Sequence, residues 1–420
     1  MLACPDRENR RMVLKVDVPP HLIDGQVDEG YGKVADAFRA NFAAGREVGA
    51  ALAVYRDGVK VVDLWGGYRN GETKTPWRGD TMVNLFSTTK GIAALTIAHA
   101  VSKGLLDYDA RVCDYWPEFG SHDKDTVTVR QLLAHQAGLC ALTPNPTLRD
   151  VADPVRLAPI LAAQKPAWRP GTRHGYHTVT IGWYESELIR RTDPAGRTLG
   201  RYLAEEITGP MGLDLHIGLP DTVPRDRVAH MHNWKRPETL LHVREMPLGF
   251  LGAALNPVGL LARTASPADV DAYAGDFNRD DVRRVEIPAG NGTGTARAVA
   301  QLYGEAACGG SRIGLSSETF EQLTAPARRP SGGVRDKVLR VDTAYSLGLA
   351  KPFPSMTFGS SERAFGTPGF GGSFGFADPD TGIGFAYVMN RMGFHLVSDP
   401  RELSVRQALF RDALGARPQI

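Results

Sequence analysis

The chain predicts an α/β layered fold: an antiparallel sheet assembled from both chain ends, flanked by helices, with a mostly helical subdomain inserted between them. Three observations predict it. Two β-rich runs, "VGAALAVYRDG" and "VKVVDLWGGYRNG", meet at Asp57-Gly58 near the N-terminus. Strand patterns return only in the last third, and the strands on both sides are joined as hairpins, which makes the sheet antiparallel. The stretch between carries short helical patterns separated by polar and Pro-rich loops. The expected division is 22–106 with 217–420 for the sheet domain and 107–216 for the inserted subdomain.

The elements follow in order. "VADAFRANFAAG" is an amphipathic helix stopping at Gly45. Asp57-Gly58 is a strong hairpin turn. The segment after Ser87, "TTKGIAALTIAHAVSKG", is rich in Ala, Leu and Ile and ends at Lys103-Gly104, which predicts a buried helix. In the insert, "TVRQLLAHQAGL", "VTIGWYESELIRRT" and "LGRYLAEEITGPMGL" each read as one helix. After a loop-rich middle, "GTARAVAQLYGEAACGG" is a helix with a Gly stop. "AYSLGLAKP", "FGTPGFGGSFGFADPD" and "TGIGFAYVMNRM" are strands, and "RELSVRQALFRDAL" closes the chain as a helix. No internal repeat is present.

Bulk properties exclude several function classes. Across 420 residues, 49 basic side chains nearly balance 47 acidic ones, and no long like-charge block occurs, so no nucleic-acid partner is expected. Cys4, Cys113, Cys140 and Cys308 are scattered and read as free, semi-buried thiols. His230, His232 and His242 have no acidic or Cys partner at a recognisable spacing, so no metal site is expected. "MLACPDRENRRMVLKVDVPP" lacks the apolar core of a signal peptide, and no run of about 18 apolar residues occurs. A cytoplasmic protein without integral membrane association is expected, with its oligomeric state open, a homo-oligomer included.

The residues that carry chemistry begin at Ser87 and Lys90, which share one helix face at a spacing of three. Ser87 opens the helix, where unpaired N–H groups and the positive dipole end favour developing negative charge. Lys90 lies on the first turn of a helix too apolar for the surface, and burial lowers an ammonium pKa. Two readings fit: a nucleophile with its activating lysine, or a capping serine with a snorkelling lysine. A second S-x-x-K, Ser121 to Lys124 in "EFGSHDKDT", reads as a solvated turn. A serine hydroxyl also needs a further polar group and N–H donors for an oxyanion. Tyr176, in the Gly-punctuated "WRPGTRHGYHTVTIGWYESEL", is the candidate, with a structural loop tyrosine as the alternative.

Taken together, Ser87-Thr88-Thr89-Lys90, "QLLAHQAGL", "RPGTRHGYHT", "NGTGTARAVAQLY" and "FGTPGFGGSFGFADP" occur in an order that resembles the serine β-lactamase-like superfamily. That group includes class C β-lactamases, penicillin-binding D,D-peptidases and family VIII carboxylesterases, and the resemblance runs from about Val34 to the C-terminus. It implies Ser87 as the acylated nucleophile and Lys90 as its proton acceptor or relay. It also implies Tyr176 as general base and then acid, and an oxyanion hole from the N–H groups of Ser87 and Phe370. Thr178, Thr367 and Gly369 fall at substrate-binding positions. No metal or organic cofactor is implied, and the expected partner is a small acyl ester.

Two departures from the resemblance bear on substrate. Penicillin-recognising members carry Tyr-x-Asn, whereas Thr178 stands third here, and Thr367-Pro368-Gly369 replaces their Lys-Thr-Gly. A threonine supplies no positive charge for a substrate carboxylate, so neutral esters are favoured over β-lactams and D,D-peptides. Amidase or acyltransferase chemistry belongs to the same class, and a non-catalytic binding module is the alternative of another class. "GGSFG" offers Ser373 as a nucleophile elbow, but a β-hairpin and not a helix is predicted to follow it. Trp168, Trp183, Trp234 and Phe370 are candidates for lining a pocket or for the core.

Overall fold

The computed structural model describes residues 17–234, 242, 245–256, 259–264, 267–271 and 275–416. The N-terminal segment through residue 16, with Cys4, lies outside the described residues. The strands are β1 (Ile23–Val27), β2 (Gly49–Arg56), β3 (Val59–Asn70), β4 (Thr75–Pro76), β5 (Val83–Asn84), β6 (Leu215–His216) and β7 (Thr293–Gly294). The C-terminal third adds β8 (Tyr345–Ser346), β9 (Leu349–Ala350), β10 (Phe365–Pro368), β11 (Phe374–Asp378) and β12 (Ile383–Met389).

The main sheet runs β1-β3-β2-β12-β11-β10-β9-β8, with β4 paired to β3. All of its pairings are antiparallel, and β2 from the N-terminal part pairs with β12 through Phe385↔Val54 and Tyr387↔Leu52. The sheet is therefore built from both parts of the chain, as the hairpin signals predicted. A second sheet, β5-β7-β6, holds the strand that leads into Ser87.

Helices cover both faces of the main sheet. On one side lie α1 (Gly32–Ala43) and the C-terminal helix, which begins at Pro400. Phe38 of α1 packs edge-on against Tyr387, and Phe376 stacks on Phe410. On the other side lie α2 (Thr88–Ser102) and the helix Ala296–Ala307. The latter comes so close that a Cβ on Gly384 would meet Gly304 N at 2.1 Å, so both glycines are needed for that approach. Helix α2 is buried on all sides from Thr88 to Ala100, as its composition predicted.

Between Asp107 and His216 the chain forms short helices, of which Thr180–Thr192 is the longest, and the strand β6. Two of the expected helices are shorter than their patterns. "TVRQLLAHQAGL" is helical only over Val129–Leu133, because His135 takes φ +58° and Gly138 φ +76°, a conformation that ends a helix. "LGRYLAEEITGPMGL" is helical over Leu199–Leu203 and widens into a π turn that ends at Thr208, ahead of Gly209-Pro210. The turn at Ser121–Lys124 is not a solvated one. Lys124 is fully buried and donates to Ala162 O and Gln164 O, satisfying carbonyls left open at the end of helix Pro154–Ala162.

Among the described residues Cys113, Cys140 and Cys308 are free thiols of graded exposure, Cys140 being buried and Cys308 exposed. Among them also, no helix is long and apolar enough to cross a membrane.

Candidate active site

Ser87 sits on a constrained turn. Leu85 N donates to Gly292 O (2.8 Å), tying the turn to the β5-β7 sheet. Phe86 takes φ +47°, a conformation that costs a bulky residue about 1–3 kcal/mol and is held by its surroundings. Those are Phe277 and Phe370, whose ring centroids lie 5.3 and 6.0 Å from that of Phe86, both edge-on. The Ser87 side chain makes no capping hydrogen bond with helix α2. Its N–H meets no acceptor among the described residues, while Thr88, Thr89 and Lys90 donate to Leu85, Phe86 and Ser87 carbonyls. The capping reading of this serine is thereby removed, and its hydroxyl faces the lysine.

Lys90 does not snorkel. It is 2% exposed, and its Nζ lies 3.0 Å from Ser87 Oγ, 2.6 Å from Thr178 O and 2.8 Å from Ala289 O. Burial pulls its pKa down to about 7, against a smaller opposing pull from the Glu185 carboxyl. Three oxygen partners satisfy Nζ as an ammonium donating to all three, or as a free amine that donates to the two carbonyls and accepts from the Ser87 hydroxyl.

Tyr176 completes the group. Lys90 Nζ stands 4.7 Å from its ring centroid. Burial pushes the phenol well up, and a hydrogen bond with the Ser87 side chain pulls it partly back. The loop that carries Tyr176 is fixed from several directions. Tyr176 N donates to Asp336 Oδ2 (2.9 Å), Gly175 N to His135 O (3.0 Å) and His177 N to His135 Nδ1 (3.2 Å). Tyr345 stacks on the ring with centroids 6.0 Å apart.

Asp336 is buried, and its Oδ1 also accepts from Val338 N and Leu339 N, so the carboxyl serves three backbone donors. His135 and His177 place their Nδ1 atoms 3.1 Å apart; burial lowers both, so the imidazoles beside Lys90 are neutral. Asp336 lies in no quoted stretch; His135, His177, Glu185 and Tyr345 stand inside quoted ones, where nothing marked them as neighbours of the site.

The other sequence candidates fall in distinct places. Thr178 offers its carbonyl to Lys90, and its hydroxyl lies 2.9 Å from Thr264 Oγ1. Thr367 is buried, its Oγ1 directed toward Gly91 and the Tyr303 hydroxyl behind the first turn of α2. Gly369 presses on the nucleophile turn: a Cβ there would stand 2.6 Å from Leu85 O and 2.0 Å from Ser373 Oγ. Phe370 is half-buried and meets Phe86 beside Ser87.

Ser373 is 1% exposed and donates its hydroxyl hydrogen to Leu85 O (2.8 Å), with Thr88 Oγ1 at 3.2 Å. No helix follows it, only the β11-β12 hairpin, so this serine staples the glycine loop to the nucleophile turn. Trp183 is core. Trp168 donates to Arg173 O and packs against Gly175, and Trp234 lies 6.1 Å from the Phe370 ring.

One expectation about the histidines needs correction. The fold supplies the acidic partner that sequence spacing did not, because Glu72 lies beside His230 and His232 with candidate ligand atoms within 4.8 Å of one another. The donor set still fits a metal ion poorly. His232 Nε2 accepts from Gly71 N (2.9 Å), which leaves the ring proton on Nδ1, the nitrogen that would have to bind. His242 instead stacks on Phe394 and hydrogen-bonds Glu245.

A serine at a helix start, a desolvated lysine one turn on and a tyrosine against both thus stand together beside the antiparallel sheet, in a fold of helices packed on both of its faces. Family comparison gives the particular family: residues 34–409 match the β-lactamase family, and the chain belongs to it. The chain is 36% identical over 369 residues to the esterase/β-lactamase LipL of Mycobacterium tuberculosis, covering 88% of this chain and 83% of that one. It is similar in structure to a family VIII carboxylesterase, with TM-score 0.81, 36% identity, and 93% and 99% of the two chains covered. A penicillin-binding protein homologue from Caulobacter crescentus follows at TM-score 0.79 and 38% identity with the same coverage.

Proposed function

We propose that this protein is a serine esterase that cleaves neutral carboxylic esters through an acyl-enzyme on Ser87. The observation that carries the reading is a lysine only 2% exposed whose Nζ stands 3.0 Å from Ser87 Oγ. Burial that lowers this amine to about 7 keeps it available as a base near neutral pH.

In the proposed reaction Ser87 Oγ attacks the ester carbonyl carbon while its proton passes to Lys90 Nζ. The carbonyl oxygen takes up negative charge, for which the N–H groups of Ser87 and Phe370 are the assigned donors. Collapse of the intermediate breaks the bond to the alcohol oxygen. The leaving oxygen takes a proton from the Tyr176 phenol, which is restored from the Lys90 ammonium. Burial holds Tyr176 as a phenol, so it suits the acid role, and the base role falls to Lys90. Water then repeats the sequence on the acyl-enzyme, and an alcohol or amine in its place gives acyl transfer. No step requires a metal or organic cofactor.

Preference for esters over β-lactams rests on Thr367, which brings no positive charge to strand β10, and on Thr178 in place of an asparagine. The names of similar proteins, an esterase/β-lactamase and a family VIII carboxylesterase, support acyl hydrolysis as the class. The test is hydrolysis of p-nitrophenyl acetate, butyrate and a longer homologue beside a chromogenic cephalosporin, by wild type, Ser87→Ala and Tyr176→Phe. Ester turnover abolished by Ser87→Ala, with the cephalosporin cleaved far more slowly, is the expected result. Turnover that survives Ser87→Ala rejects the mechanism, and wild type that acylates once without turnover points to a binding module.

A further inference from the structure

Against the glycine-rich loop that carries Phe370 lies a charged group that the proposed reaction does not use. Arg401 stands in the first turn of the C-terminal helix and is buried together with Glu47, Asp399 and Tyr387. Every N–H of its guanidinium has an acceptor. Nε and Nη2 donate to the two Asp399 carboxyl oxygens (2.8 and 2.9 Å), and Nη1 donates to Glu47 Oε2 (3.2 Å) and Arg391 O (2.8 Å). The remaining bond leaves the ion cluster: Nη2 donates to Gly371 O at 2.6 Å. Gly371 O also accepts from Gly393 N (2.8 Å), so this one carbonyl is clamped by two donors. The approach is close, for a Cβ on Gly372 would stand 2.7 Å from Arg401 Nη2 and 2.9 Å from Asp399 Oδ2.

A buried ion cluster adds little stability over apolar packing of the same volume, yet the planar guanidinium fork gives it one geometry. Here that geometry is passed to the segment from Gly369 to Ser373. Gly371 and Gly372 take φ +86° and +116°, so the backbone just after Phe370 needs an anchor to keep a single conformation. A second anchor lies at the ends of the segment, where Gly369 N donates to Ser373 O (2.7 Å) and Ser373 is stapled to Leu85 O. Phe370, the assigned oxyanion donor, sits between the two. We infer that Arg401 is a positioning residue for ester cleavage: through Gly371 O it fixes the backbone that aims the Phe370 N–H at the oxyanion. The inference rests on the proposed acyl-enzyme mechanism at Ser87. That N–H is needed once the carbonyl oxygen carries charge, so its misplacement is felt in the transition state and not in substrate binding.

The experiment measures kcat and KM for p-nitrophenyl butyrate per folded molecule, together with Ki for trifluoromethyl propyl ketone, whose tetrahedral adduct on Ser87 carries an oxyanion. Arg401→Lys keeps a positive charge beside Asp399 and Glu47 but has no fork to hold Gly371 O as well. It is expected to lower kcat at least about tenfold with KM within about twofold, and to raise Ki by the factor that kcat/KM falls. Asp399→Asn/Arg401→Gln, which removes one charge of each sign, is the second variant should the first fail to fold, and the same losses are expected of it. Tyr387→Phe is the control, since it deletes the bond from the Tyr387 hydroxyl to Glu47 in the same cluster and leaves the clamp on Gly371 O. It should lower the urea midpoint while kcat and Ki stay within about twofold of wild type. A smaller fall in kcat, a loss that appears in KM, an unchanged Ki, or an equal loss of kcat in Tyr387→Phe overturns the inference. Ser87→Ala separates the two levels of the reading. Turnover abolished there with the Arg401 variant unimpaired rejects the positioning role alone, whereas turnover kept in Ser87→Ala, or none by wild type, rejects the mechanism and the positioning role with it.

Discussion

Lowering the pH should switch off ester cleavage along a curve set by Lys90. The amine is the proposed base, and burial places its pKa at about 7. For a single group of that pKa the free-amine fraction is about nine-tenths at pH 8, half at pH 7, about one-eleventh at pH 6 and about one-hundredth at pH 5. The predicted fall in kcat/KM between pH 8 and pH 5 is therefore about ninety-fold, tenfold per unit below pH 6. Neither Tyr176, raised by burial, nor His135 and His177, held neutral, should add a step near neutrality. The assay is the initial rate of an uncharged ester by pH-stat, so that neither substrate nor detection titrates. Lys90→Arg supplies the control, because a guanidinium keeps the charge and has no free-base form in this range. A kcat/KM that stays flat to pH 5, or a Lys90→Arg enzyme with more than about a tenth of wild-type activity, refutes the assignment of the base.

The remaining predictions concern the groups around that base. The Lys90 pKa is lower folded than unfolded, so between about 7 and 10.5 the unfolded chain binds more protons and stability rises with pH. Lys90→Met should thus gain most over wild type below pH 7, on the order of 4–5 kcal/mol before packing losses, and urea midpoints at pH 6 and 10 that differ equally from wild type would contradict it. Glu185 is the opposite case: it is buried with both carboxyl oxygens unpaired and its pKa raised well above 4.5. The folded state holds its proton longer, so wild type loses stability as pH climbs above 4.5, and Glu185→Gln should widen its advantage toward pH 8 in the same measurement. Parallel curves for the two proteins would reject that. Ser373→Ala deletes the bond to Leu85 O and should cost about 1–3 kcal/mol in a denaturation curve while ester turnover stays within severalfold. Asp336→Ala unpairs three backbone donors, Tyr176 N among them, and should lower kcat at least about tenfold with little change in KM.

How much of this was legible in the sequence depended on how local each signal is. The Asp57-Gly58 hairpin and the buried helix after Ser87 follow from turn chemistry and composition within a dozen residues, and both stand in the fold. Pairing of β2 with β12 was legible only as a sheet shared between two parts of the chain, since register lies in side-chain packing across more than 300 residues. The helix at "TVRQLLAHQAGL" stops early because His135 adopts φ +58°, a choice tied to its packing against Tyr176 and Tyr345, which no local pattern encodes. Lys124 looked solvated because its neighbours are polar, yet the carbonyls that bury it belong to a helix some 38 residues on. Ser87, Lys90 and Tyr176 were legible as candidates, but the question of base or snorkelling cation needed Thr178 O and Ala289 O. Asp336 comes from a distant loop outside every motif, and Glu185, though inside the Tyr176 segment, showed its place beside Lys90 only once the helix it sits on was packed.

The central claim is that acyl groups pass through Ser87. The most direct measurement is mass spectrometry of the intact protein and its peptides after acid quenching during steady-state turnover of p-nitrophenyl butyrate. A butyryl adduct on the peptide that carries Ser87, absent from Ser87→Ala and present in Ser373→Ala, is the predicted result. An adduct on the peptide carrying Ser373, or steady turnover with the Ser87 peptide never acylated, would contradict it.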